Sequence, residues 1–453
     1  MQLETNDEMS VVQRFARYAV DSRGAPVPPE ALHHAKRAVI DWYAALLPGA
    51  VVAPATLLEK ALAEDLDRGN ARLALGRRAS TRAAALINGT AAHTVEVDDI
   101  FKFGIYHPGA PTISAALAAA QSAGASGEAL LRAVIVGYEI STRIGAAMGR
   151  AHYRYWHNTG TVGTFGAAAA AAEIYALDAP RFAHALATCA TFAAGLQQAF
   201  RMDSMSKPLH AGHAAEAGVL AAAGAREGVT GSLDVIEGEA GFGNAMGDGP
   251  DWANATATLG REFHIKLMTF KNHACCGHTF AAIDGAQALQ ARLEVKAADI
   301  ARVRVGSYRA AKEVSGYENP LTPAEARFSL KYVVATALTH GSVRLAAFEP
   351  ARMRDPATRE LMQKIEVLID PELDAAFPAQ RAARVRIDTT DGRSEDYLQP
   401  ARKGDPELPL SDRDLDEKYL ELASPVIGEA RARALLAKLW SLEQVGNVAS
   451  GLD

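Results

Sequence analysis

From Pro29 to about Ala225, apolar residues recur at helical spacing, with Gly and Pro between the segments. Residues 30–47 carry Ala31, Ala35, Ala38, Val39, Trp42 and Leu46 on one helical stripe. Helices are predicted over 112–123 and 128–149, with Gly124 and Gly127 between them, and over Thr161–Leu177. That last segment holds six consecutive alanines, Ala167–Ala172, which predicts a helix buried against other backbones at short range. Two more helices are predicted, from about Phe182 to Phe200 and from about Gly212 to Arg226. The whole stretch reads as all-helical.

After about residue 265 the period changes to two. Ala301–Ser307, Lys364–Asp370 and Ala383–Thr389 alternate apolar and polar residues, the pattern of half-buried strands. Asp391-Gly392 is a hairpin signal, and Glu395–Leu398 is the expected return strand. Helices are predicted at 279–293 and 324–341 between the strands, and at 411–423 and 428–440 after Pro409. The expected fold is therefore mainly α. A large discontinuous helical domain (1–265 with returning helices at 406–453) accompanies a smaller α+β domain (266–405).

With 49% hydrophobic and 22% charged residues, the chain has the balance of a globular protein. A net charge of −6 argues against a nucleic-acid partner, which would need a basic face. The acidic start, MQLETNDEMSVV, lacks the character of a targeting peptide, and no apolar run approaches a membrane span. The expected location is the cytoplasm. The three cysteines, Cys189, Cys275 and Cys276, provide no disulfide framework and are a poor set for an iron–sulfur cluster.

Four clusters carry candidate chemistry. The first joins His93, Glu96, Asp98 and Asp99 to His107-Pro108-Gly109; on a continuous helix His93 and Glu96 would share a face, so that the carboxylate could orient the imidazole. It lacks His-x3-His or cysteine ligands, so no metal is expected. The second is His157-Asn158-Thr159-Gly160-Thr161, where Thr159 or Thr161 could cap the alanine helix and its N-terminus could seat a carboxylate beside His157. In the third, Lys207 stands between Ser206 and Pro208 ahead of His210 and His213, with no glycine-rich phosphate loop before it. The fourth is Lys271-Asn272-His273-Ala274-Cys275-Cys276-Gly277-His278. Adjacent cysteines do not make the usual zinc knuckle, so they read as packing residues that set His278 at a helix mouth. Together the clusters offer imidazoles, a lysine and carboxylates without a nucleophile signature. Such a set could bind a carboxylate substrate and move a proton at the neighbouring carbon.

NGTAAHTVEVDD, HPG at 107–109, GYEISTRIG, HNTGTVGTFGAAAAAAE, MSKPLHAGHAAEAGVLAA, CCGH at 275–278 and LTPAEARFSLKYVVATAL appear in this order along nearly the whole chain. Together they resemble the MmgE/PrpD family, which includes 2-methylcitrate dehydratase, cis-aconitate decarboxylase and iminodisuccinate epimerase. The resemblance implies a helical domain built from both ends of the chain, an α+β lid, a homodimer and no metal or organic cofactor. By motif it implies that His107, His157, Lys207, His278 and Asp98 are catalytic and that Glu96, Asp99, Lys271 and Tyr332 bind substrate. Where cis-aconitate decarboxylase resembles D-F-D-D, this chain has Glu96-Val97-Asp98-Asp99, so its first acid is longer. The implied function is a cofactor-independent lyase, a dehydratase like 2-methylcitrate dehydratase, on a small di- or tricarboxylate. The alternatives are decarboxylation or epimerisation in the same pocket, or a noncatalytic carboxylate-binding protein.

Overall fold

The computed structural model describes residues 9–200 and 204–452. The acidic residues 1–8, on which part of the targeting argument rests, lie outside it. The fold is mainly α, and the chain divides into two compact units, Met1–Thr269 with Ser411–Asp453, and Phe270–Leu410.

The first unit begins with α1 (Val11–Ser22), α2 (Pro29–Ala50) and α3 (Ala55–Ala61). A short antiparallel pair, β1 (Leu66–Arg72) and β2 (Arg78–Ala79), then interrupts the predicted run of helices. Asp67 and Gly69 there have φ of 60° and 66°, a backbone state that no helix continues through. Next come α4 (Thr81–Thr94), α5 (Gly109–Ala123), α6 (Gly127–Tyr153), α7 (Asn158–Ile174), α8 (Ala179–Ala190) and α9 (Ser206–Arg226). Ala167–Ala172 of α7 are fully buried, as expected where methyl groups are all that fit between helices. The helix expected through Phe200 stops at Ala190. Gly195 has a φ of 133° and Leu196 bridges to Trp156, so the segment turns back along the start of α7. The helices Asp412–Ile427 and Glu429–Trp440 complete this unit.

The second unit holds a four-stranded sheet of β3 (Ile300–Ser307), β4 (Ile365–Ile369), β5 (Ala383–Thr389) and β6 (Ser394–Gln399), ordered β4-β3-β5-β6. β3 pairs parallel to β4 and antiparallel to β5; the β5–β6 turn contains Asp391-Gly392, with Gly392 at φ 90°. Along β5, Ala383, Val385, Ile387 and Thr389 are buried while the alternate residues are partly exposed. The helix predicted at 324–341 is two, Pro323–Arg327 and Leu330–His340, because the Ser329 hydroxyl caps the second by accepting from Tyr332 N. No single helix among the described residues is long and apolar enough to cross a membrane.

Candidate active site

Small residues bring the first three clusters together within the first unit. A Cβ on Gly212 of α9 would lie 2.2 Å from Thr90 Oγ1 and 2.3 Å from the Leu86 carbonyl oxygen, so the NGT segment of α4 and the HAGH segment of α9 cross at backbone range. That crossing puts His93 near the end of α4 beside the first two turns of α9, which carry Lys207 and His210.

Helix α4 ends at Thr94, and Glu96 adopts a left-handed φ of 61°. The helical His93–Glu96 pair therefore does not form. Glu96 instead pairs with Lys207 Nζ, which also lies 5.3 Å from the centre of the Phe200 ring. His93 is fully buried, with Nδ1 2.7 Å from Asp98 Oδ2. His107 Nδ1 lies 3.3 Å from the same Asp98 oxygen, so one carboxylate faces two imidazoles. The ring of His93 lies edge-on to His107 at 4.7 Å between centroids and stacks on His157 at 5.4 Å.

The loop that carries these groups is held on several sides. The Asp99 oxygens accept from Tyr138 OH at 2.7 Å and Gly109 N at 3.0 Å, which fixes the start of α5 just after His107. Both Asp99 oxygens thus have partners inside the protein. Lys418, fully buried on the helix Asp412–Ile427, donates to Asp41 Oδ1 at 2.5 Å and to the Val97 carbonyl at 2.7 Å. His107 N donates to Thr159 Oγ1 at 3.2 Å.

His157 is the N-cap residue of α7, and no side chain caps that helix. Thr161 Oγ1 contacts His152 Nε2 at 2.6 Å, and Thr159 serves His107, so the expected threonine caps are replaced by these bonds. His157 N donates to the Gly195 carbonyl at 2.8 Å, and its Nδ1 lies 3.0 Å from His210 Nδ1.

Burial and charge give the groups distinct protonation states. Burial raises the Asp98 carboxyl, but the charges and hydrogen bonds of His107 and His93 outweigh it and hold the group well below the usual carboxylate range. Burial of Asp99, reinforced by Asp41, pushes its carboxyl up to about 7. Burial also holds His93 down at about 3, against the pull of Asp98. His157 is held well below the usual imidazole range by burial, then by His93, His210 and His107. His93 Nε2 and Asp98 Oδ1 are buried without a hydrogen-bond partner among the described residues. His93, Asp98 and His107 also bring one ligand atom each within 4.8 Å of one another, close enough to reach a common cation.

His278, Lys271 and Tyr332 belong to the second unit. His278 precedes the helix Phe280–Leu293 and places Nδ1 2.9 Å from Tyr308 OH; burial, then Arg381 and Arg402, hold it down at about 4. Lys271 is buried. Tyr332 is fully buried and donates its hydroxyl to the Ala347 carbonyl. Cys275 is buried against Thr279 Oγ1 at 3.2 Å, and burial pushes its thiol up to about 12.

Two site-forming residues, His93 and His210, fall outside the set inferred from motif roles. Both stand in quoted motifs, within reach of Asp98 and Lys207 in sequence, so the signal was their place in the cluster. Asp41 and Lys418 carry no local signal; they meet only through the return of the C-terminal helices.

The family model of the MmgE/PrpD N-terminal domain matches residues 13–255, and that of the MmgE/PrpD C-terminal domain matches residues 273–443. The chain belongs to the MmgE/PrpD family. It is 28% identical to the cis-aconitate decarboxylase-like protein oryM of Aspergillus oryzae, over 98% of this chain and 97% of that protein. It is 28% identical to human cis-aconitate decarboxylase, over 80% of this chain and 76% of that protein. The cis-aconitate decarboxylase of Aspergillus terreus is 25% identical, over 99% of this chain and 96% of that protein. Within this MmgE/PrpD chain, the N-terminal family region contains the whole imidazole–carboxylate cluster, from His93 to His210.

Proposed function

We propose that this chain is a lyase that acts on a small di- or tricarboxylate, with decarboxylation of cis-aconitate or a close analogue as its leading activity. The observation that carries this reading is near-full-length similarity to cis-aconitate decarboxylases in a chain that sets two imidazoles, His93 and His107, against the Asp98 carboxylate. In this reading, the bond to the departing carboxylate breaks and its electron pair stays on the substrate carbon. CO2 leaves, and an imidazole of the cluster, His107 or His157, delivers a proton to that carbon. Lys207 and the N-terminus of α7 stabilise the negative charge. Asp98 orients His93 and His107.

Dehydration is the second reading, favoured by the neutral state in which burial holds His157. A neutral imidazole can take the proton beside a carboxylate, while a separate acid protonates the departing hydroxyl. A decarboxylase needs no such base. Incubation with cis-aconitate, 2-methylcitrate, citrate and iminodisuccinate separates the cases. Gas release from cis-aconitate is the expected result; alkene absorbance without gas would transfer the assignment to dehydration, and optical change alone to epimerisation. Conversion of none of the four would overturn the lyase reading.

A further inference from the structure

We propose that His210 relays protons between His157 and solvent. The proposal rests on the reading of His157 as a proton-handling group, and its geometry lies wholly within the first unit. The contact of 3.0 Å between the two Nδ1 atoms requires that one carry hydrogen and the other accept it. His157 is otherwise walled in: its ring stacks on His93 at 5.4 Å, meets Phe200 edge-on at 4.8 Å and is 2% exposed. His210 is the hydrogen-bond partner of that ring among the described residues, and it is only partly buried. One helical turn further along α9, His213 is exposed. The backbone leaves room for this pair: a Cβ on Gly195 would stand 3.1 Å from both Cγ and Nδ1 of His210 and 3.5 Å from the His157 Cβ.

The relay balances without a further reactant. Neutral His157 with hydrogen on Nδ1 takes a substrate proton at Nε2, its Nδ1 proton crosses to His210 Nδ1, and His210 releases its Nε2 proton to water. The reverse sequence supplies the proton that decarboxylation consumes. Burial, His213 and Lys207 all hold His210 below the usual imidazole range, and His157 faces it directly, so neither ring retains the proton it passes.

The test uses the full chain and whichever substrate of the four it converts fastest. In dilute buffer, His210→Ala and His210→Gln are expected to lower kcat by roughly 10–100-fold with KM unchanged, a loss at or below the low end for general acid–base groups. Added imidazole should restore His210→Ala in proportion to its concentration while leaving the wild type unaffected. Wild-type kcat in both variants, or a loss in folded His210→Ala that imidazole does not restore, overturns the relay. Histidine 15N NMR gives a readout independent of turnover: one Nδ1 of the pair should be protonated and the other bare, and two bare Nδ1 atoms would refute it. Full activity in His157→Ala would defeat the underlying reading of His157, whereas an inactive His157→Ala beside an unaffected His210→Ala defeats the relay alone.

Discussion

The histidine cluster of the helical unit and the KNHACCGH segment of the α+β unit are built from the same residue types but satisfy them differently. In the second, His273 Nε2 meets Asp284 Oδ1 at 2.9 Å, the other Asp284 oxygen accepts from Lys403 N at 2.8 Å, and His278 meets Tyr308 OH. Each imidazole there has a partner that fixes local structure. In the first, Asp98 is shared by two imidazoles, and buried atoms of His93 and Asp98 have no protein partner. The same imidazole content thus serves paired local contacts in one region and a shared carboxylate in the other.

Truncation of one histidine in each region breaks the comparison most sharply. His157→Ala should lower turnover by about 10²–10⁴-fold with the circular dichroism spectrum retained. Lys418→Met, which would leave Asp41 buried and uncompensated behind the Asp98 loop, should cost about 3–5 kcal/mol in denaturant unfolding. His273→Ala should cost about 1–3 kcal/mol by the same measurement and leave turnover unchanged, since it breaks a staple and no proton path.

The smallest effect separates the two adjacent aspartates. Asp99, raised to about 7, binds a proton in the folded state that the unfolded chain loses near pH 4. Its contribution to stability therefore declines as pH rises from about 4 to 7, with a slope of at most about 1.4 kcal/mol per pH unit. The thermal midpoint of the wild type relative to Asp99→Asn should rise as pH falls from 7.5 to 5. His93, held at about 3, acts oppositely: the unfolded chain takes up its proton first, so its contribution is lost as pH falls from about 6.5 towards 3.

Much of this was legible in the sequence because short-range patterns dictate it. The period-two runs became β3 to β6, Asp391-Gly392 turns the hairpin, and Ala167–Ala172 form a buried helix. Positions set by backbone reversals were not legible. The left-handed φ of Glu96 detaches it from His93 and gives it to Lys207, and Gly195 reverses the chain beyond a helix that stops at Ala190 where composition would have continued it to Phe200. Asp98 and Asp99 are neighbours with equal chemistry in the sequence; which one meets imidazoles and which meets Tyr138 depends on a loop held by Lys418, more than 300 residues away.

Turnover in D2O tests most directly whether the His93, Asp98, His107 and His157 cluster is the proton-transfer centre. The wild type and His273→Ala should place solvent deuterium on the product carbon that receives the proton, while His157→Ala should lose both turnover and incorporation. Deuterium incorporation by His157→Ala at the wild-type rate would contradict the account.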